Sequence, residues 1–177
     1  MTKKTTLKLV YSALCLALAM VLPFLTGQIP QVGQMLSPLH IPALLCGFLC
    51  GWPYGLAVGF IAPLMRSMIF TMPPMYPAAI AMAFEMAVYG MIAGLLYKRL
   101  PKKIPYIYVS LITAMIGGRI VWGIARFVLA GLGGSSFPIE MFIGGAFLEV
   151  IPGIILHIVL IPVIVMALRK ANLIPNE

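Results

Sequence analysis

The chain has 177 residues, of which 62% are hydrophobic and only 9% charged, with a mean hydropathy of +1.08. Soluble domains carry about 25% charged and about 45–50% apolar residues, so this composition excludes a water-soluble fold. The net charge of +8 would suit nucleic acid if the basic residues formed one stripe, but nine of the twelve sit in three clusters beside apolar segments, as in cytoplasmic loops: Lys3, Lys4 and Lys8; Lys98, Arg99, Lys102 and Lys103; Arg169 and Lys170.

Proline, glycine and charge divide the chain into apolar segments near residues 9–25, 39–51, 54–70, 77–97, 106–130 and 139–168. Six helices of about 20 residues with short loops use this length, which predicts a single domain over 1–177 with no appended soluble module. The first segment follows a basic start and contains Ala17-Leu18-Ala19, similar to a signal-peptidase site. The chain beyond it is equally apolar, so it reads as a retained helix. The second segment reaches only about 20 Å as a helix, short of a hydrocarbon core near 30 Å. Charge parity argues that it crosses, because the first two basic clusters share a side only if an even number of spans separates them. The expectation is an all-α integral membrane protein with six transmembrane helices and both termini cytoplasmic.

The loops on the opposite side, 26–38, 71–76 and 131–138, contain no Lys, Arg, Asp or Glu. They are rich in Gly, Pro, Gln and Ser, a turn-forming composition able to fold over a cavity mouth. No internal repeat is evident, nor the matched broken helices of an inverted-repeat transporter. Small residues recur four apart at Ala13/Ala17, Gly47/Gly51, Gly55/Gly59 and Gly90/Gly94, a spacing that lets helix backbones approach closely in lipid. Cys15, Cys46 and Cys50 lie in apolar runs and read as small packing residues, not as a disulfide framework.

Six charges fall within or beside the segments: Arg66, Arg119 and Arg126 against Glu85, Glu140 and Glu149. An ionised side chain at the bilayer centre costs at least about 2.5 kcal/mol, so three of each sign should pair, line a wet cavity, or both. Their depths converge. Arg66 lies four residues from the outer end of its segment, Glu85 roughly 12 Å into the fourth, and Arg119 two turns below Arg126 in the fifth. Glu140 opens the last segment at the rim, with Glu149 about 14 Å below it. Charges on four helices at one level read as a pocket open to the outside. An Arg–Glu network that only ties helices together is the structural alternative.

Aromatic groups share that level: Tyr76, Phe84, Tyr89, Trp122 and Phe137. Trp122 follows Arg119 by three residues and precedes Arg126 by four, so all three can share a helix face. An aromatic wall with a few charges suits a small polar heteroaromatic ligand. His40 opens the short second segment and could meet a ligand or cap a helix; His157, deep in the last segment, reads as a core hydrogen-bonding group. No phosphate-binding loop, zinc spacing or nucleophile motif is present. No catalytic residue, metal or cofactor is expected, and a pocket without a motor fits a binding subunit that draws energy from a partner.

Several stretches resemble the substrate-binding S component of energy-coupling factor (ECF) vitamin transporters. They are His40-Ile41-Pro42-Ala43-Leu44-Leu45-Cys46-Gly47, Gly51-Trp52-Pro53-Tyr54-Gly55, and the Met72-Pro73-Pro74-Met75-Tyr76-Pro77 loop leading to Ala83-Phe84-Glu85. The similarity spans nearly the whole chain. It implies a transport subunit of the bacterial cytoplasmic membrane without its own ATPase. A membrane T component driven by two ATPase subunits would be its partner, and Ala13 and Ala17 would be the contact with that component. It also implies that the S component topples in the membrane to release a vitamin inside. Substrate contacts are expected among Glu85, Arg126, Trp122, Arg119, Glu149, Arg66, Tyr76, Phe84 and His40. Charge balance favours a hydroxymethyl-substituted nitrogen heterocycle, a vitamin B6 form or the pyrimidine precursor of thiamine, over pantothenate. A stand-alone secondary transporter or a membrane enzyme stays open at this point.

Overall fold

The computed structural model of the protein describes residues 2–26, 29–134, 138–145 and 150–174. Among them every regular element is helical. Helix α1 (Lys3–Val21) starts at Thr2, whose hydroxyl accepts from the Thr5 amide, and runs into a 3₁₀ turn, Leu22–Thr26. The short α2 (Pro30–Leu36) ends at Ser37 with left-handed φ +46°. Then come α3 (His40–Cys50), α4 (Trp52–Phe70), an irregular turn over Met75–Ala79, α5 (Ile80–Arg99), α6 (Ile104–Leu132), the short α7 (Ile139–Ile143) and α8 (Ile151–Lys170).

Among the described residues five segments are long and apolar enough to cross a membrane: Lys3–Thr26, Trp52–Phe70, Met75–Arg99, Ile104–Leu132 and Ile151–Lys170. Helix α3 is shorter, yet all eleven of its residues are buried. A helix sheathed by protein instead of lipid need not match the hydrocarbon thickness, which accounts for its length. Gly51, at φ +96°, joins α3 to α4 in a one-residue turn that a side chain would strain. His40 at the start of α3 and Arg66 near the end of α4 lie at the same end of the bundle, so α3 and α4 run in opposite directions. Of the segment expected as one helix over 139–168, the described parts are α7, Ile139–Ile143, and α8 from Ile151, whose preceding residue Val150 has φ −104° and ψ 6°.

The tightest packing is between α4 and α5, where glycine replaces side chain with backbone contact. A Cβ on Gly59 would fall 2.2 Å from the Met86 carbonyl oxygen, and one on Gly90 would fall 2.2 Å from that of Gly55. Gly47 brings α3 onto the same seam against Gly90. The apolar core fills the space among α1, α3, α5, α6 and α8 around Leu44, Phe48, Tyr97, Leu111 and Ile161, with Phe48 and Tyr97 meeting edge to face at 5.2 Å. Cys15, Cys46 and Cys50 are buried free thiols within it. Outside, Ile116, Ile120, Ile124 and Phe127 on α6 and Ile151, Ile155, Val159 and Val163 on α8 are exposed, an apolar surface that belongs in lipid. Within the helices, His40, Arg66, Glu85, Arg119 and His157 turn inward instead.

Candidate functional site

The buried groups His40, Arg66, Glu85 and Arg119 cluster at one end of the bundle, the end remote from the basic clusters. Glu85 lies in the second turn of α5 and is 1% exposed. One turn later Tyr89 donates its hydroxyl to Glu85 Oε1 at 3.0 Å, as expected of residues four apart on a helix. Arg119 from α6 places Nη1 3.1 Å from the same oxygen, and His40 at the head of α3 places Nε2 3.5 Å from Oε2. Three helices thus converge on one carboxylate. A buried charge persists only if it is paired and hydrogen-bonded, and this one is both. The His40 ring is 3% exposed, and neither of its nitrogens completes a hydrogen bond among the described residues.

Above this floor is a cavity of about 630 Å³, within the size range of small-molecule sites. His40, Glu85, Arg119, Trp122 and Arg126 line it, as do Met82 and the turn at Met72-Pro73-Pro74. Trp122 stacks on Phe142 of α7 with centroids 6.4 Å apart, and the Arg126 guanidinium stands 5.8 Å from the Trp122 ring. The opposite wall is supplied by Ile29, Gly33 and Ser37 around α2. That helix is seated directly on α8: a Cβ on Gly153 would meet the Met35 carbonyl at 2.5 Å. Beside it His157, 2% exposed, donates Nε2–H to the Ser37 carbonyl at 3.3 Å. His157 therefore makes a core hydrogen bond that fixes the cavity wall. The wall and floor combine one ion pair, an aromatic face and unfilled hydrogen-bonding capacity at His40.

The family described as "ECF transporter, substrate-specific component" matches residues 7–174. The chain belongs to that family. Comparisons with curated proteins and with solved structures return no match. As an S component the chain is a transport subunit and not itself an enzyme, and the family implies a small-molecule substrate with T-component and ATPase partners.

Not every residue expected at the S component's site reaches the cavity. Arg66 borders it, but its Nη1 donates to the Met20 carbonyl at 2.6 Å, and its guanidinium lies against the edge-to-face pair Phe24 and Phe70, 5.3 and 4.9 Å from their ring centroids. It joins α4 to the end of α1 instead of pairing with a carboxylate. Tyr76 lies off the cavity, half exposed, with its hydroxyl donating to the Leu129 carbonyl and tying the 75–79 turn to α6. Phe84 is on the outer face of α5, packed edge to face on Phe60 at 5.6 Å. The helical period explains this: Phe84 adjoins Glu85 in sequence, so it points about 100° away. Glu140 is exposed at the rim. Glu149 and Phe137 lie outside the described residues. Ala13 and Ala17 sit on the exposed face of α1. His157 makes the core hydrogen bond expected of it, but its partner and the contribution of α2 were not readable beforehand, because the contact joins segments 120 residues apart.

Proposed function

We propose that this S component captures a water-soluble vitamin or vitamin precursor from outside a bacterial cytoplasmic membrane. In this reading the whole chain is one multi-pass domain with six spans, both termini are cytoplasmic, and the cavity faces out. The observation that carries it is the Glu85–Arg119 pair lying beneath a 630 Å³ cavity at the end of the bundle without basic clusters. A network serving only to tie helices would have no reason to border so large a void.

Glu85, Arg119 and His40 form the polar end of the binding site, and Trp122 with Arg126 forms its stacking wall. The ligand is a hydroxymethyl-substituted nitrogen heterocycle, of the vitamin B6 or thiamine-pyrimidine kind. Its ring lies against Trp122, its heteroatoms complete the hydrogen bonding of His40, and Glu85 accepts from a ring or amino N–H. Pantothenate is the second reading, favoured by the paired state of Glu85, which leaves the cavity floor without a bare anion and lets Arg126 take a carboxylate. Release inside the cell is driven by two ATPases through a T component that docks on the Ala13/Ala17 face of α1.

Calorimetric titration of the purified chain against a panel of vitamins and precursors tests the assignment. Tight binding of a neutral or cationic heterocycle is expected. A response to acidic ligands alone would replace the first reading by the second, and silence toward the whole panel would remove both.

A further inference from the structure

The end of the bundle opposite the cavity holds its own arrangement. Lys98 and Arg99 close α5, Lys102 and Lys103 lie in the turn to α6, and Arg169 and Lys170 close α8. Two contacts draw them to one corner. Arg169 Nη1 donates to the Lys102 carbonyl, while Lys102 Nζ donates to the Tyr97 carbonyl and stands 3.6 Å from the Tyr97 ring centroid. Segments 67 residues apart thereby pool their positive charge. The described carboxylates, Glu85 and Glu140, are both at the far end. Retention of positive loops in the cytoplasm accounts for basic residues on this side, but not for α8 docking its cations onto those of the α5–α6 turn, which brings like charges together.

From that corner a seam runs between α6 and α8. It opens into a second, apolar cavity of about 100 Å³ lined by Ile112, Met115, Ile116, Ile154 and Ile158, with Arg119 at its deep end. Counted along α6 from Lys103 and along α8 from Lys170, this crevice stands about 14–24 Å from the basic corner. One leaflet of hydrocarbon is about 15 Å deep. The crevice is therefore where the end of an acyl chain arrives if its headgroup sits at the corner.

We propose that an anionic phospholipid binds along the α6–α8 seam, its phosphate held by Lys102, Lys103, Arg169 and Lys170 and one acyl chain ending in the crevice between Ile112, Ile116, Ile154 and Ile158. Basic pockets between membrane helices recognise anionic headgroups by charge, and the crevice adds the apolar half of an amphipathic ligand. The site meets the solute cavity at Arg119, which borders both, and its existence does not depend on which solute is carried.

Native mass spectrometry of the chain in an uncharged detergent, with equimolar phosphatidylglycerol and phosphatidylcholine of equal chain length, reads the proposal out. The parent chain is expected to retain phosphatidylglycerol over phosphatidylcholine roughly tenfold. Lys103→Gln with Lys170→Gln, both exposed, should erase most of that preference, whereas Lys3→Gln with Lys4→Gln should leave it intact. Ile158→Phe, which fills the crevice, should lower retention of both lipids while keeping the headgroup preference. Equal retention of the two lipids by the parent, or equal loss in the Lys3/Lys4 variant, overturns the proposal.

Discussion

Arg119 Nη1 and Glu85 Oε1 lie 3.1 Å apart, and that single contact both joins α6 to α5 and forms the floor of the cavity. Tying helices and receiving a solute are thus done by the same groups. The pair is neutral as a unit, so a solute meets directional hydrogen-bonding groups in place of a bare charge.

Replacing Arg119 by Met leaves Glu85 buried without its main counter-charge. Breaking one side of a buried pair costs about 3–5 kcal/mol, so thermal unfolding in detergent should shift far down and ligand retention should be lost. The double replacement Glu85→Gln with Arg119→Gln should lose less stability than the sum of the single changes, since no charge is stranded. Strictly additive losses would show that the two groups do not interact.

Arg66 is expected to act on stability more than on affinity. Arg66→Gln removes two cation–π contacts, each about 0.5–2 kcal/mol, and loosens the end of α1 where Met20 and Phe24 are held. A lower melting temperature with ligand affinity nearly unchanged is the predicted result. Loss of affinity at full stability would assign Arg66 to the ligand.

The α4–α5 seam should reject a single methyl group. Gly59→Ala or Gly90→Ala drives Cβ into a facing carbonyl, and overpacking of this kind costs about 1–3 kcal/mol or more. Gly131→Ala, in α6 with open space around it, should instead be neutral or gain up to about 1 kcal/mol of helix propensity. Unfolding profiles of the three variants side by side decide the matter; equal behaviour would contradict the backbone contact.

Ala13 and Ala17 are exposed and contribute little to the chain's own packing. Ala13→Trp with Ala17→Trp should leave monodispersity and ligand binding unchanged while abolishing co-purification with T component and ATPases. Retained co-purification would move the partner surface off this face of α1.

Much of the site is readable because it defies its surroundings. Charges in apolar helices are rare enough that Glu85, Arg119 and Arg126 identify themselves, and depth along each helix is simple arithmetic. The direction in which a side chain points is harder to read. Phe84 and Tyr76 share the level of Glu85 yet lie off the cavity, because level says nothing of azimuth. Arg66 shows a second limit: its partners are a carbonyl and two rings, none of which carries a charge that composition would flag.

What the sequence alone determined was the membrane as solvent, the helical class, the separation of basic clusters from the charged level, and family membership, since hydropathy and charge are sums over local residues. Only the tertiary structure decided that the short α3 is sheathed by protein, that α8 starts at Ile151, that α2 rests on Gly153 and His157, and which arginine meets Glu85. Those outcomes depend on how helices rotate and approach one another, and such contacts between distant segments leave no periodic trace in a single chain.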